Sequence, residues 1–218
     1  MKRSVEVKKF VFNPFMENTY VVYDGQGACV IIDPGCYTKE EEEEILTFIR
    51  DKKLQPEHVL LTHAHLDHVC GAPFFAREFG LDPLLHPADN GIYETVPSQG
   101  EIFSFPVKDL PPVSALPEKE ISFGDTSLQV IHLPGHSPGG VAYHHPETGL
   151  LFSGDILFNG SIGRTDLPGG DYDLLVKSIT EKIVTVLPED TLIFPGHGPE
   201  TTVGKEIRSN PFLDFLER

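Results

Sequence analysis

Positive charge is scarce in this chain: 17 Lys and Arg stand against 33 Asp and Glu, a formal net charge of −16. A surface of that sign repels phosphate backbones, and without a local basic patch to offset it a nucleic-acid partner is excluded. Long apolar runs are also missing. Stretches such as Ala28–Ile32 and Leu150–Phe152 have the length of buried strands and fall far short of the roughly 18 residues that span a bilayer, so no membrane partner is expected. At the amino end, Lys2 and Arg3 lead into alternating polar and apolar residues rather than an apolar signal core. Cysteine is limited to Cys29, Cys36 and Cys70, an odd number without paired spacing, which excludes a disulfide framework and fits the reduced thiols of a cytoplasmic protein. Cys29 lies in an apolar run and belongs to the core. Cys36 and Cys70 fall close to the motifs below, where a packed thiol and an approach to the site are both open readings.

What the chain does have is a regular alternation of short apolar runs and helical patterns, with 39% apolar residues over 218 positions. That is enough for one domain, 1–218, with a full core. Strands are expected at 5–12, 18–23 and 28–32, the last two joined by the turn residues Asp24-Gly25-Gln26-Gly27. A helix is expected at 39–53, capped by Thr38, with the Glu40–Glu44 run as a solvated face at the positive end of the helix dipole. A strand at 57–62, a helix at 68–79 and a short strand at 83–86 follow. Residues 87–118 hold six prolines and read as irregular, with short helices and a loop beside the site. Strands at 119–123, 127–133, 140–145 and 149–153, a helix at 171–187, a strand at 191–194 and a helix at 201–208 complete a layered α/β pattern.

The chemistry is carried by where the polar residues fall. Val30-Ile31-Ile32 leads into Asp33-Pro34-Gly35, and Val59-Leu60-Leu61-Thr62 leads into His63-Ala64-His65-Leu66-Asp67-His68. Val130-Ile131-His132-Leu133 leads into Pro134-Gly135-His136, Leu150-Leu151-Phe152 into Ser153-Gly154-Asp155, and Leu192-Ile193-Phe194 into Pro195-Gly196-His197. Loops after strand carboxyl ends are where α/β proteins build sites, and the glycines and prolines let each chain turn toward a shared centre. Imidazole nitrogen and carboxylate oxygen suit zinc. So many ligands exceed one tetrahedral ion, whereas two adjacent ions with a shared ligand match the count. Structural sites favour cysteine and four protein ligands per ion, so this set points to a working centre. His58, His86, His132, His144 and His145 lack the strand-end placement and receive no role.

Thr62-His63-Ala64-His65-Leu66-Asp67-His68, with Asp33, His136, Asp155 and His197, resembles the five-motif signature of the metallo-β-lactamase superfamily across residues 33–197. The resemblance implies an αββα sandwich, with two mixed β-sheets face to face and helices outside. It implies that His63, His65 and His136 hold one divalent ion and Asp67, His68 and His197 a second. Asp155 then bridges them and Asp33 supports the ligands from behind, with Asp67 and Asp155 as the catalytic carboxylates. Zinc is the expected ion, with iron or manganese as alternatives. Two divalent ions offset by Asp67, Asp155 and one hydroxide leave a site charge of about +1, which suits a polarised carbonyl.

An aspartate at 155 is similar to the type II glyoxalases rather than to the many true lactamases with cysteine there. Gly163-Arg164-Thr165-Asp166-Leu167-Pro168-Gly169-Gly170-Asp171 resembles a stretch of the short bacterial hydroxyacylglutathione-hydrolase-like branch, and Ser209-Asn210-Pro211-Phe212-Leu213 is also typical of it. The implied activity is hydrolysis of a small-molecule thioester, glutathione-linked in that family, by a metal-bound hydroxide. Arg164 is the implied substrate-binding cation, and a salt bridge to Asp166 or Asp171 is the plainer alternative. The 218-residue chain ends 21 residues past His197, so the helical glutathione-binding domain of long glyoxalases is expected to be absent. The rival implied by the Gly-Arg-Thr-Asp stretch is a mononuclear iron persulfide dioxygenase using His63, His136 and Asp155. Lactone or phosphodiester hydrolysis follows it.

Overall fold

Neighbouring residues of a strand point to opposite faces of a sheet, and in this chain both faces of most strands are apolar, so each sheet needs a cover on either side. The computed structural model, which describes residues 5–214 and so leaves Lys2 and Arg3 outside the described residues, provides it as four layers. The first sheet runs β1 (Val5–Phe12), β2 (Glu17–Asp24), β3 (Ala28–Ile32), β4 (Gln55–Leu60), β5 (Pro83–Leu85) and β6 (Ser114–Ala115) in spatial order. It is antiparallel from β1 to β3 and parallel from β3 to β6. The second contains β7 (Glu120–Phe123), β8 (Thr126–His132), β9 (Val141–His145), β10 (Leu150–Gly154), β13 (Leu192–Pro195) and β14 (Thr201–Thr202), in the order β14-β13-β10-β9-β8-β7. Its β10–β13 pair is parallel and the others are antiparallel. A small hairpin, β11 (Leu157–Phe158) with β12 (Ser161–Ile162), stands apart. The helices are α1 (Lys39–Asp51), α2 (Leu66–Val69), α3 (Ala72–Phe79), α4 (Asn90–Ile102), α5 (Tyr172–Ile179) and α6 (Val203–Ser209).

The core sorts by strand parity. Tyr20, Val22, Val30 and Ile32 face Val141, Tyr143 and Phe152 between the sheets. Val21, Cys29 and Ile31 turn the other way, onto Ile45, Leu46 and Ile49 of α1 and Phe74 and Phe75 of α3. Ala142, Leu151 and Ile193 turn outward onto Leu175 and Ile179 of α5 and Val203 of α6. This is the expected αββα sandwich. The expected cap of α1 is present, with Thr38 accepting from the Glu41 N–H while the Glu41 side chain reaches back to the Thr38 N–H.

Three local expectations change. The helix expected at 68–79 is two, α2 and α3, because Gly71 approaches Pro34 and Cys36 too closely for a side chain and its N–H bonds the Pro34 carbonyl. The helix expected at 171–187 keeps α-helical bonding only to Ile179 and continues as a π-turn over Thr180–Val184. Residues 87–118 hold a thirteen-residue helix, α4, despite Gly91, Pro97 and Gly100. Tertiary contacts override its poor propensity: Tyr93 and Val96, one turn apart, pack against Leu61, Ala64 and Leu85, while Pro97 stays exposed.

At one end the two sheets are tied directly. The fully buried Tyr143 hydroxyl donates to the Leu61 carbonyl at 2.7 Å, and the Val141 N–H donates to the Thr62 carbonyl at 2.8 Å. Burial pushes the Tyr143 phenol well above its ordinary range, so it remains a donor. Tyr143→Phe is expected to cost about 1–3 kcal/mol by orphaning the Leu61 carbonyl. In thermal unfolding that is a fall of about 2–4 °C per kcal/mol, and an unchanged midpoint would mean that this tie contributes nothing.

Candidate metal centre

The five strand ends singled out in the sequence converge where the sheets are tied. Asp33 follows β3, the 63–68 segment follows β4, and His136, Asp155 and His197 follow β8, β10 and β13. His63 and His65 sit two apart just before α2, with ring centroids 4.6 Å apart, while the single turn of α2 carries Asp67 and His68. Two triads result, His63-His65-His136 and Asp67-His68-His197, each with its ligand atoms within 4.8 Å of one another.

Each buried imidazole has one nitrogen held by the protein. The His136 Nδ1 lies 2.7 Å from the Arg164 carbonyl, which can only accept, so this nitrogen carries the proton and Nε2 faces the centre as an acceptor, 2.9 Å from the His65 Nδ1. The His68 Nδ1 donates in the same way to the Asp33 carboxylate at 3.0 Å. The Thr62 hydroxyl donates to Asp33 at 2.6 Å and receives the His63 Nδ1–H at 3.0 Å. The Thr62 N–H also donates to Asp33 at 2.7 Å. Asp33 thus uses both oxygens on its neighbours, which removes it from a third grouping, Asp33-His63-His68, that proximity alone would allow.

Among the described residues the opposite nitrogens of His63 and His68 meet no hydrogen-bond partner, while the His136 Nε2 meets the His65 Nδ1 at 2.9 Å. His63 Nε2, His68 Nε2 and Asp155 Oδ1 are buried without a hydrogen-bond partner. Asp155 lies between the triads, 3.4 Å from His68 Nε2, 3.8 Å from His136 Nε2 and 3.7 Å from His197 Nε2. Asp67 lies 3.1 Å from His197 Nε2. Orphaned buried acceptors are costly unless a cation takes them, so the donor set fits a pair of divalent ions.

Electrostatics favours the neutral form at His63 and His65 and, beside the carboxylates, the charged form at His68 and His197. Burial, then His68 and the other imidazoles, holds the His63 ring well below its ordinary range. Burial followed by His136 lowers His65 to about 3. Neutral imidazole is the ligating form. Burial alone would raise Asp155 and Asp67, but His68 and then the neighbouring histidines outweigh it and keep both carboxyls low. His68 and His197 are raised against their burial, His68 chiefly by Asp155 and Asp67 and His197 chiefly by Asp67. His63 and His68 are enclosed, whereas Asp67, Asp155 and His197 keep 17, 14 and 28% of their side-chain surface, so the cluster opens on one side. That side is a cleft of about 500 Å³ walled by Phe15, Leu66, Phe103, Phe158 and Ile162.

Arg164 stands at the cleft rim, exposed, with Nε and Nη2 donating to the two Asp166 oxygens at 2.7 and 2.8 Å. The salt-bridge alternative is therefore present. The Gly163-Arg164 backbone also has a task that the sequence did not suggest, since it orients His136. Gly163 crosses so near the Asp155 carbonyl and the His136 ring that no Cβ fits there. Cys36 and Cys70 lie behind the ligand loops. Cys70 donates to the Gly35 carbonyl at 3.2 Å, and burial pushes both thiols well up, so neither offers a thiolate to the cleft.

Other residues escaped the sequence reading. The buried Asp89 joins two ligand loops by accepting from the Ala64 N–H at 3.1 Å, the Ser137 hydroxyl at 2.9 Å and the Gly139 N–H. Asn18 donates to the Pro195 and Gly198 carbonyls at 2.9 Å each and so fixes the His197 loop. Asn13 donates to the Asp67 carbonyl at 3.0 Å. Asp89 lies within the proline-containing stretch, at the end of a 3₁₀ turn past β5 rather than directly after an apolar run, so periodicity gave no signal for it.

A family model described as the metallo-beta-lactamase superfamily matches residues 12–197. The protein named hydroxyacylglutathione hydrolase GloC from Haemophilus influenzae is 39% identical over 204 residues, covering 92% of this chain and 94% of that protein. Among solved structures, the BLEG-1 B3 metallo-beta-lactamase superposes with a TM-score of 0.87 at 39% identity, covering 95% of this chain and 99% of that one. TTHA1623 in a di-iron-bound form gives 0.84 at 42% identity, covering 94% and 100%.

Asp89→Asn puts an NH₂ group against donors. The expected loss is about 1.5–3 kcal/mol for each charge-assisted bond broken, with faster amide exchange at Ala64 and Gly139. Unchanged urea midpoints and exchange rates would remove Asp89 from the site's support.

Proposed function

The chain belongs to the metallo-beta-lactamase superfamily and is a metal-dependent hydrolase, and from that premise we propose that it cleaves a thioester, such as a hydroxyacylglutathione, at a two-metal centre with zinc as the resident ion. The observation that carries the reading is the pair of triads with the Asp155 carboxylate between them and bare buried nitrogens aimed inward. His63, His65 and His136 would hold one ion and Asp67, His68 and His197 the other, with Asp155 shared. When bound, such a pair supplies the Lewis acidity that activates a water and polarises a carbonyl. The 39% identity to GloC over nearly its whole length supports the thioester class. The di-iron form of the 42% identical neighbour supports iron as the alternative occupant.

The chain's own residues account for the rest. Asp33, Thr62 and the Arg164 carbonyl fix the ring planes of His63, His68 and His136, so the donor atoms need no reorganisation when substrate arrives. Asp67 and Asp155, held ionised, accept hydrogen bonds from a water at the open side and turn its lone pair toward the cleft. The apolar walls seat the thioester and exclude bulk water. The purified protein is expected to contain two divalent ions per chain by mass spectrometry and to release thiol from S-lactoylglutathione. Asp155→Ala should lose both ions or keep one weakly. Oxygen consumption with glutathione persulfide, together with no thiol released from S-lactoylglutathione, would establish the mononuclear dioxygenase instead.

Arg164 is proposed as the cation facing an anionic carrier, with its pull muted by Asp166. Because the same contact would exist in ground and transition states, its effect belongs in KM rather than kcat. Arg164→Ala should raise KM for a glutathione thioester and Asp166→Ala should lower it, while an uncharged carrier responds to neither. Equal effects on both carriers would leave Arg164 only its backbone role.

A further inference from the structure

The cleft over the metal centre continues into a second lobe of about 610 Å³ between α4 and the Leu167–Gly169 turn. His65, Gln99, Phe103 and Leu167 line both, so the lobe opens directly onto the cluster. Its further walls are apolar or small, with Ile92, Ala88, Pro138 and Pro168 prominent, and among the described residues no Lys, Arg, Asp or Glu lines it. Arg164 lines the cleft and not the lobe. Phe15 and Phe103 stay 42% and 61% exposed, with their rings edge to face at 6.4 Å beside the cleft. Aromatic surface left to water next to a site marks where apolar ligand surface is meant to land.

Taking the thioester reading as given, we propose that this lobe binds the acyl chain of the substrate, so that the enzyme selects thioesters of apolar, medium-length acyl groups over a short hydroxyacyl group. A thioester presents two arms to the metal centre. The carrier arm is polar or charged and would lose its hydration in the lobe without gaining a partner. It is better served in the cleft, where Arg164 stands. The acyl arm gains from every methylene that it hides in the lobe, up to roughly fourfold in kcat/KM at full burial.

The test measures kcat/KM of the metal-loaded enzyme for acetyl, butanoyl, hexanoyl and octanoyl thioesters of one uncharged carrier. It is paired with calorimetric binding of the non-hydrolysable S-methyl- and S-octylglutathione. Gly91 is the site for a blocking variant, because it lines the lobe and a side chain added there meets nothing within 4 Å. Gly91→Leu fills the lobe while improving helix propensity in α4. In the wild type, kcat/KM should climb by about two- to fourfold per methylene, and the octyl thioether should bind more tightly than the methyl one. In Gly91→Leu both ratios should fall back toward one. A flat series with active turnover would overturn the acyl-lobe assignment and leave the thioester reading standing. A climb that Gly91→Leu does not flatten would place the chain elsewhere and overturn it equally. Absence of hydrolysis at every chain length, in protein shown to carry its metals, would remove the thioester reading and this proposal together.

Discussion

A buried imidazole can offer one nitrogen to an ion only if the protein holds the other, and Asp33 is where this chain meets that demand. Its two oxygens receive the Thr62 N–H, the Thr62 hydroxyl and the His68 Nδ1–H, and through Thr62 it also sets His63. The residue sits at φ 50°, in the left-handed region that Asp tolerates better than most side chains. That turn at the end of β3 carries the carboxylate to β4, and the two strands run parallel with Ile32 beside Leu60. The ligand geometry is therefore a consequence of strand register. A slip of one residue between β3 and β4 would move Asp33 away from Thr62 and leave the histidines free to rotate.

Assembling so many polar groups in a core is unfavourable unless each is satisfied, and the fold solves this by placing the centre where the two sheets end. Backbone ties run across the gap there, Val141 to Thr62 and Asn18 to Gly196, and Gly196 is held in turn by Gly154 of the neighbouring strand end. Glu17 lies behind the centre with its Oε1 unpartnered and 4.0 Å from His68 Nδ1. Burial pushes its carboxyl up strongly, His68 pulls against that, and Asp33 adds to the rise. A carboxyl biased toward its neutral form there brings less negative charge to the centre. Gly196 is required by the same crowding, because a side chain there would strike Asp155 and His68.

Much of this was legible in the sequence because strand ends are marked twice, by an apolar run and by the Gly or Pro that follows it. That double mark located Asp33, His136, Asp155 and His197, the 63–68 cluster was marked by its apolar run and its own density of ligands, and the apolar runs set between helical patterns carried the layered fold. What stayed hidden lacks a local mark. Asp89 and Asn18 act through bonds spanning 25–50 and 177–180 positions of sequence, which no periodicity reports. Helix α4 was hidden for a related reason, since its residues are poor helix formers and only the packing of Tyr93 and Val96 holds them. The backbone task of Gly163-Arg164 carried no mark in the motif either. The motif draws the eye to a guanidinium, whereas the bond that reaches the metal centre comes from the Arg164 carbonyl.

Asp89 then connects the two halves of the site. It ends the 3₁₀ turn over Pro87–Asp89, sits immediately before α4, and bonds the ligand loops at Ala64, Ser137 and Gly139. One wall of the apolar lobe is α4, and the floor of the cleft is the loops that Asp89 grips. The ligand loops and the helix that walls the lobe are thereby registered by one carboxylate, with His65 facing both spaces. The ligand loops are fixed by the sheets and admit little variation. The exposed face of α4, with Gly91, Thr95 and Gln99 toward the lobe, is free of such ties to the centre. A fold built this way can change what it accepts by altering α4 alone, because nothing in the geometry of the donor atoms depends on which side chains line that wall.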